Sequence, residues 1–567
     1  MPEGTGADLA ESCLREYATL KTQRMTWEPT WQAIADTMVP AASDIISTRT
    51  PGVSRTQRLY DGTAMQAGQL LTGHINAGVT NFATRWFGLK MGEQGIAWDM
   101  ETKAWLDACA QIMLEWLNGS MAPQAVHEML LSYVYFGTGG VFCDEQPLRQ
   151  PGTGGFRGLL VKSQPIASYC LAENALGAVD TVYREFELSP RQAEQHFGYD
   201  ALHDSVQAAL SQPHQRHVPS AYLHAVYPRR RAGRSTGARD MAWASCYLDV
   251  AHKTLVQEGG YRWCPYLFPR WSKLKTWSPW GFGPGHLALP DTLTLNAMEQ
   301  DVLMQMARAI NPPYWTDDDS AIGRVSLLPG AINPLARGSQ IAPMLPAWQP
   351  DVVKLGMEER RQRIKNVFFV DQLMMLPPPT DPGHMTAYEV AQRIGLMQRL
   401  MGAAFMRLLS EFLNPFLDIV FQTLLAADEL PQIPEQVAMA AMQQQGRIEV
   451  NYEGPLARSQ RGEELEGIQG TLLLAQQISG ATGTLEIYDN LDLDEAMRRT
   501  AAVLGAPPTL VRDKALVDTV RKQRKAQEAQ AAQMQQMGQM AEMAGKAAPA
   551  LGALQEFAGA GAPAETA

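Results

Sequence analysis

Seven apolar residues, Val390, Ile394, Met397, Met401, Phe405, Leu408 and Phe412, follow one another at steps of four, three, four, four, three and four. Only an α-helix gathers such a series onto one side, because a turn takes 3.6 residues. The seam predicts one long helix over about residues 387–430, roughly 60 Å from end to end. A seam of this length has to be covered by a core or by another subunit, and its methionines read as packing, not as a cofactor box. Pro415 lies inside the span and lacks an N–H, which predicts a kink there.

The stretch before this helix is rigid. Leu373-Met-Met-Leu runs into Pro377, Pro378, Pro379, Thr380, Asp381, Pro382, Gly383 and His384, and Thr386 and Glu389 then stand at capping-box spacing. The prolines limit what this loop can do, and the cap sets where the following helix starts, a contribution of about 1 kcal/mol. A loop held at a fixed height between two long helices is a mechanical part. It lacks the residues of a catalytic pocket and points to a machine that handles a polymer.

At 567 residues the chain has room for about four average domains or fewer larger ones. Its hydrophobic content of 46% supports sizeable cores. The net charge of −11 argues against tight clamping of nucleic acid, though not against loose contact. Six widely spaced cysteines form no Cys-x-x-Cys pair, which suits a reducing compartment and excludes a cysteine zinc site by pattern. The N-terminus has neither a basic region nor an apolar core, so no signal peptide is expected. The run from Met129 to Cys143 is too short to span a bilayer. Together these features describe a soluble, intracellular-type chain with no membrane partner.

Helical spacing recurs over 8–39, 62–82, 104–118 and 122–136. From 140 to about 285 short apolar runs between turn residues read as strands of a mixed or antiparallel sheet, notably Gly158–Val161, Ala221–Val226 and Met241–Leu248. A helix over roughly 290–310 carries the stripe Leu295, Met298, Val302, Met306 and Ile310, and Asn311-Pro312-Pro313 stops it. Residues 311–350 read as a small β-rich insert, 351–372 as a second helix, and 447–452 as a strand. Residues 457–545 return to helices, and the Gly/Ala/Pro-rich end, 546–567, is expected to be a disordered tail. The fold class expected is α+β, predominantly helical.

Several motifs invite chemical readings and resist them. The lone Gly545-Lys546 pair is followed by Ala547, so the phosphate-cradling loop of an ATPase is missing. Gly233-Arg-Ser235-Thr-Gly237 matches a nucleophile elbow, but Arg229-Arg230-Arg231 precedes it where an apolar strand is needed, so a hairpin loop is the better reading. His214 and His217 sit between Pro213 and Pro219 without a local acidic or thiol partner, which reads as a solvated loop. Asp317, Asp318 and Asp319 lack the spacing and glycine of a calcium loop and read as an exposed acidic turn. The cluster of Arg229, Arg230, Arg231, Arg234 and Arg239 reads first as a solvated loop and second as a phosphate contact. Arg270-Trp271-Ser-Lys273-Leu-Lys275-Thr-Trp277-Ser-Pro-Trp280 has the texture of a stacking platform for single strands, yet packing at a domain junction is favoured. No catalytic residue, metal site or cofactor is expected.

Taken in order, several blocks resemble the portal, or head-to-tail connector, family of short-tailed bacteriophages. They are Trp27…Trp31…Ile34…Pro40, then Arg58-Leu-Tyr60-Asp61-Gly-Thr63-Ala64 running to Arg85-Trp86-Phe87-Gly-Leu89, then Trp280-Gly281-Phe-Gly283-Pro284-Gly285. Asn311-Pro312-Pro313, Thr386-Ala-Tyr-Glu389-Val390, and Arg447-Ile-Glu-Val to Gly454-Pro455-Leu-Ala457 complete the set, across about residues 10–470. Many relatives have another residue in place of Trp280.

The resemblance implies a ring subunit, in the family a dodecamer, with wing, stem, clip and crown regions. Residues 1–285 would form the wing, 286–310 and 351–372 the two stem helices, and 311–350 the clip. Residues 373–386 would form a tunnel loop facing DNA, 387–456 the long kinked helix and the wing's return strand, and 457–545 a helical crown. It implies passage of double-stranded DNA and partners that include terminase, the major capsid protein, scaffold and a tail adaptor, with the protein in the virion at a capsid vertex after assembly in the host cytoplasm. Candidates to face DNA are Pro377, Pro378, Pro379, Thr380, Asp381, His384, Lys354, Arg361 and Lys365. Candidates to dock the motor or adaptor are Asp317, Asp318, Asp319, Arg324 and Arg337. Thr386, Glu389 and Pro415 are the structural cap and kink.

A passage for DNA must not grip it, since each firm phosphate contact repeated around a ring adds to a trap. Five cations on the second stem helix (Lys354, Arg360, Arg361, Arg363, Lys365) nearly cancel four anions (Asp351, Glu358, Glu359, Asp371), so ion pairs within or between subunits are expected, with one or two cations left to face inward. Two other classes stay open: a head-completion or scaffold protein without a channel, and a DNA motor or nuclease. The missing Gly-Lys-Ser/Thr loop and the lack of a clustered acidic metal site speak against the latter.

Overall fold

The computed structural model describes residues 6–42, 44–47, 56, 59–82, 86–91, 100–146, 156–230, 237–273, 278–310, 314–316, 341–343, 350–374, 400–443, 450–453, 455–482, 488, 490–503, 516–530 and 534. The chain divides into two compact units, one of residues 1–96 with 105–470, the other of 97–104 with 471–567.

In the larger unit, the helix expected over 8–39 is two helices, α1 (Ala7–Arg24) and α2 (Glu28–Met38). The break has a local cause: Pro29 lacks an N–H and fits only in a first turn, so a helix has to restart just before it. After α3 (Thr63–Val79) and the short strand β1 (Gly88–Met91) come α4 (Met100–Asn118) and α5 (Ala122–Phe136), both at their expected places. Strands β2 (Val141–Glu145), β3 (Leu159–Ser163), β4 (Tyr169–Glu173) and β5 (Val179–Leu188) follow. Helices α6 (Pro190–Phe197) and α7 (Asp204–Leu210) then interrupt the sheet, and β6 (Ser220–Pro228), β7 (Trp243–Asp249), β8 (Thr254–Tyr261) and β9 (Tyr266–Leu267) resume it. All pairings are antiparallel: β4 to β8 form a five-stranded meander, and β2 sits between β3 and β9. β6 pairs directly with β7, from Pro228 opposite Trp243; Gly233–Thr236 lie outside the described residues, and after Gly237 comes a single 3₁₀ turn (Ala238–Asp240) and not the α-helix an elbow needs.

Helix α8 (Pro284–Ile310) starts earlier than its stripe predicts. It leads to β10 (Tyr314–Thr316) and β11 (Ile341–Pro343), an antiparallel pair that agrees with a β-rich insert, and back through α9 (Pro350–Val367). The second helix does not run unbroken to 372. Phe369 takes a left-handed conformation (φ 58°), uncommon for a bulky residue, and α10 (Val370–Met374) restarts beyond it. Leu373 and Met374 are therefore helical and not part of a loop.

The long apolar helix is described from residue 400. Gly402 has a positive φ (49°), α11 (Ala403–Leu408) follows, then a π turn over Leu409–Leu413, then α12 (Asn414–Ala426). Met401, Phe405, Leu408 and Phe412 are buried, so this part of the seam faces the core of its own subunit. Each such side chain contributes about 2 kcal/mol through burial. Ala403–Ala426 is long and apolar enough to cross a bilayer, longer than the run noted from Met129, yet Phe416, Val420 and Leu424 are also fully buried, as in a core helix. Helix α13 (Glu435–Gln443) leads to β12 (Val450–Glu453), which pairs antiparallel with β1, Gly88 opposite Glu453. Helix α14 (Pro455–Thr482) follows, its residues to Gly470 in this unit and those from Thr471 in the smaller one.

The main core gathers Trp31, Tyr133, Tyr135, Phe87, Phe368, Phe405 and Phe416 around α5. A second cluster seals α1 onto the meander through Leu9, Cys13 and Tyr17 against Tyr183, Leu223 and Cys246. All six cysteines are free thiols. In the smaller unit α15 (Leu493–Val503) begins at Asp492, whose carboxylate accepts the Glu495 N–H at 2.9 Å, and residues 516–530 are helical. Arg521 pairs with Asp494 at 2.7 Å. Residues 546–567 lie outside the described residues.

Candidate functional site

Three joints hold the paired helices α8 and α9 and the long apolar helix to the rest of the larger unit. The first joint is built from glycines. After α5 the chain turns at Gly137 (φ 71°), and the Trp280–Gly285 segment lies on that turn backbone to backbone. A Cβ on Gly281 would lie 2.0 Å from the Gly137 carbonyl oxygen, and one on Gly285 would lie 2.1 Å from the Tyr135 carbonyl oxygen. No side chain fits at either place. The Gly281 N–H donates to Thr138 Oγ1 at 2.8 Å, and Trp280 packs edge-on against Trp31 at 4.7 Å. Trp280 and Trp271 are thus packing residues; Trp271 lies 5.2 Å from the Tyr133 ring. His286, one residue beyond, accepts the Gly283 N–H at 3.3 Å, and burial pushes its pKa down to about 4.

The second joint is ionic. Arg360 Nη1 reaches Asp291 Oδ1 at 2.8 Å across the helix pair. Arg361 is shared between Asp61 (Nε to Oδ2, 3.1 Å) and Glu299, with Glu358 at 3.7 Å. Burial alone would lower the Arg361 pKa, and these carboxylates, Asp61 first, raise it instead. The other oxygen of Asp61 accepts the Thr63 N–H at 2.8 Å and so starts α3. Asn296 Oδ1 accepts the Tyr60 N–H at 2.7 Å. The Tyr60-Asp61-Gly-Thr63 block is therefore a clamp on both helices, a role its sequence did not disclose. Between the helices Leu295, Met357 and Ile364 are buried. Farther out the apolar stripe is open: Met306 is 46% exposed, Ile310 77% and Leu355 74%.

The third joint holds the long helix. In the π turn the Asn414 N–H donates to the Leu409 carbonyl, five residues back, and Pro415, which cannot donate, comes next. The turn carries Glu411 onto Arg270, which is only 3% exposed. Glu411 accepts from the Arg270 backbone N–H at 2.9 Å, from Nε at 3.1 Å and from Nη2 at 2.6 Å. Arg270 also bonds Glu173 and the Gly177 carbonyl, and Lys273 reaches Glu173 at 2.6 Å. Burial works against the Arg270 charge, but Glu411 and then Glu173 outweigh it and raise its pKa. Arg407 also lies 3.6 Å from Glu411, so three cations face two carboxylates.

Of the residues singled out from sequence, Arg361 spends its charge on partners within its own chain, Lys354 is exposed and Lys365 half-buried. Pro415 is the second residue of α12, one residue beyond the π turn. Pro377, Pro378, Pro379, Thr380, Asp381, His384, Thr386 and Glu389, with Asp317, Asp318, Asp319, Arg324 and Arg337, lie outside the described residues. Arg229 lies 3.5 Å from Glu258 and donates to the Gly259 carbonyl at 2.8 Å, and Arg239 lies 3.2 Å from the same Glu258. His214 and His217 are exposed on a turn. Among the described residues no three His, Cys, Asp or Glu side chains gather as a metal site.

The profile of the bacteriophage head to tail connecting proteins matches residues 10–511. Over 527 residues the chain is 28% identical to a probable portal protein of Bordetella phage BPP-1, covering 90% of each chain. It is also 28% identical over 528 residues to the portal protein of Salmonella phage epsilon15, covering 91% of each. A solved chain from the virion of a native gene transfer agent particle aligns with 84% of this chain and 99% of its own, at 13% identity and a TM-score of 0.32, too slight a likeness to carry an argument.

Proposed function

The chain belongs to the bacteriophage head to tail connecting protein family, and from that premise we propose that it is a phage portal: a structural ring at a capsid vertex through which double-stranded DNA is packaged, retained and ejected. The family match over residues 10–511 carries the reading. The resemblance noted in the blocks from Trp27 to Ala457 agrees with it.

In this reading residues 1–285 are the wing, α8 and α9 the stem, 311–350 the clip, 373–386 the tunnel loop and 457–545 the crown. The ring is a dodecamer. Its partners are terminase, the major capsid protein, scaffold and a tail adaptor. The mechanism is geometric and non-enzymatic. The glycine joint and the Arg360 and Arg361 pairs support a stem that keeps its angle to the wing. With Arg361 engaged by Asp61 and Glu299, Lys354 and Lys365 are the better candidates to face DNA, and a sparse cationic lining lets the duplex slide. The open stripe of Met306, Ile310 and Leu355 suits contact with a neighbouring copy.

Negative-stain microscopy of the purified protein tests the reading. Rings with a central hole are expected, and monomers or filaments would overturn it. An ATPase assay separates it from a packaging motor, with no hydrolysis expected.

A further inference from the structure

One exposed cluster lies where α7 meets the β7–β8 turn. Ser205, the second residue of α7, places Oγ 2.8 Å from His252 Nε2. His252 Nδ1 lies 2.8 Å from Asp249 Oδ2. Asp249 is 1% exposed, and its other oxygen accepts the Ala251 N–H at 2.9 Å and the His252 N–H at 3.1 Å. The β7–β8 turn, which includes left-handed Lys253, thus folds His252 back over a carboxylate that cannot move away. With the carboxylate holding a proton on Nδ1, Nε2 presents its lone pair to the serine hydroxyl, a tautomer assigned from the hydrogen-bond network. His203 flanks the pair. Its ring stacks on His252 at 4.1 Å, and its Nδ1 accepts the Ser205 N–H at 3.3 Å and lies 2.9 Å from Ser205 Oγ.

We propose that Ser205 is a nucleophile activated by His252 and Asp249, and that it takes up an acyl group from an activated ester. A hydroxyl, a base and a carboxylate that orients the base are the arrangement nucleophilic serine chemistry needs, and it is recognised by geometry. In the step Oγ bonds to the carbonyl carbon while its proton passes to His252 Nε2. The bond to the leaving oxygen then breaks, the leaving group takes the electron pair, and acyl-Ser205 remains. The amide of Ser205 is bonded to His203 Nδ1, and those of Val206 and Gln207 are bonded to the His203 carbonyl. None of the three is free to stabilise an oxyanion, and each missing donor slows such chemistry about 10²- to 10³-fold. This slows acylation and deacylation alike, but a phenyl ester carries a far better leaving group than the acyl-serine it forms, so the site accepts one acyl group and releases it more slowly still, without turning over as a hydrolase.

The test uses the full-length protein and p-nitrophenyl acetate. A burst of one p-nitrophenolate per chain is expected, with the acetyl group mapped to Ser205 by peptide mass spectrometry. Ser205→Ala abolishes the burst. His252→Gln slows it about 10²- to 10⁴-fold, the usual contribution of a general base. Both positions are exposed, and unchanged melting curves show that the variants fold. Absence of acetyl-Ser205 in the native protein overturns the proposal without any variant. Equal acetylation rates in native protein and His252→Gln overturn it too. Ring formation is scored separately and does not depend on the outcome.

Discussion

Replacing Arg270 by methionine removes the guanidinium that links the π turn to the sheet and keeps most of its apolar stem. Three bonds to Glu411, one to Glu173 and one to the Gly177 carbonyl converge on this residue; the backbone N–H survives, so four of these five are lost. Removing one partner of a buried pair costs about 3–5 kcal/mol, because the other charge stays behind unpaired. Here Glu173 keeps Lys273, and Glu411 keeps Arg407 at 3.6 Å, so the lower end, about 3 kcal/mol, applies. The loss falls on the attachment of Leu409–Ala426. Hydrogen exchange followed by mass spectrometry reads it directly: 3 kcal/mol corresponds to roughly a hundredfold faster exchange of amides in that segment. Adding Glu411→Leu to Arg270→Met removes the stranded charge and recovers part of the protection. If exchange over 409–426 changes less than threefold in Arg270→Met, or if the double variant is worse by the sum of its parts, the buried cluster does not hold this helix.

Gly285→Ala is expected to cost about 3 kcal/mol or more, since its Cβ would meet backbone 2.1 Å away. Gly73→Ala, on open helix surface, should stabilise by up to about 1 kcal/mol, and melting temperatures of the two variants distinguish these cases. His286 has a folded pKa of about 4 against an ordinary 6.5, so the unfolded chain binds the extra proton between those values and stability falls as pH drops through them. Asp144 acts oppositely: burial raises its pKa from 3.8 to about 6, and the folded state binds the extra proton in that window. The two nearly cancel in the native chain, so His286→Gln should gain roughly 2.5 kcal/mol relative to native protein between pH 7 and pH 4.5, and parallel urea midpoints at the two pH values would refute the assignment. Thr386→Ala combined with Glu389→Ala should impair DNA packaging or retention more than ring assembly; packaged genomes of normal length would count against the cap's role.

The helices were legible because each follows one local period, as in α5, and the antiparallel meander because its strands, such as β6, are short apolar runs bounded by turn residues. Pro29 and Phe369 show where that legibility stopped. The proline breaks a helix whose apolar spacing continues through it, and the break at Phe369 has no sequence signal, since only tertiary packing holds a phenylalanine at positive φ. The π turn is similar: Pro415 announced a disturbance, but Arg270, far away in sequence, decides what Glu411 does there. Asp61 looked like part of a motif, and its hold on Arg361 depends on a contact 300 residues apart. The Ser205 cluster escaped notice for the same reason, while the local Gly-x-Ser-x-Gly string that did draw attention is followed by no α-helix.

Strands β1 and β12 pair edge to edge although the chain between them holds most of the larger unit. That pairing works like a clasp on a necklace. A protease that cuts once anywhere between the two strands yields halves still fastened at the clasp and through the core, so a nicked subunit should run as two bands on a denaturing gel and as one particle in solution.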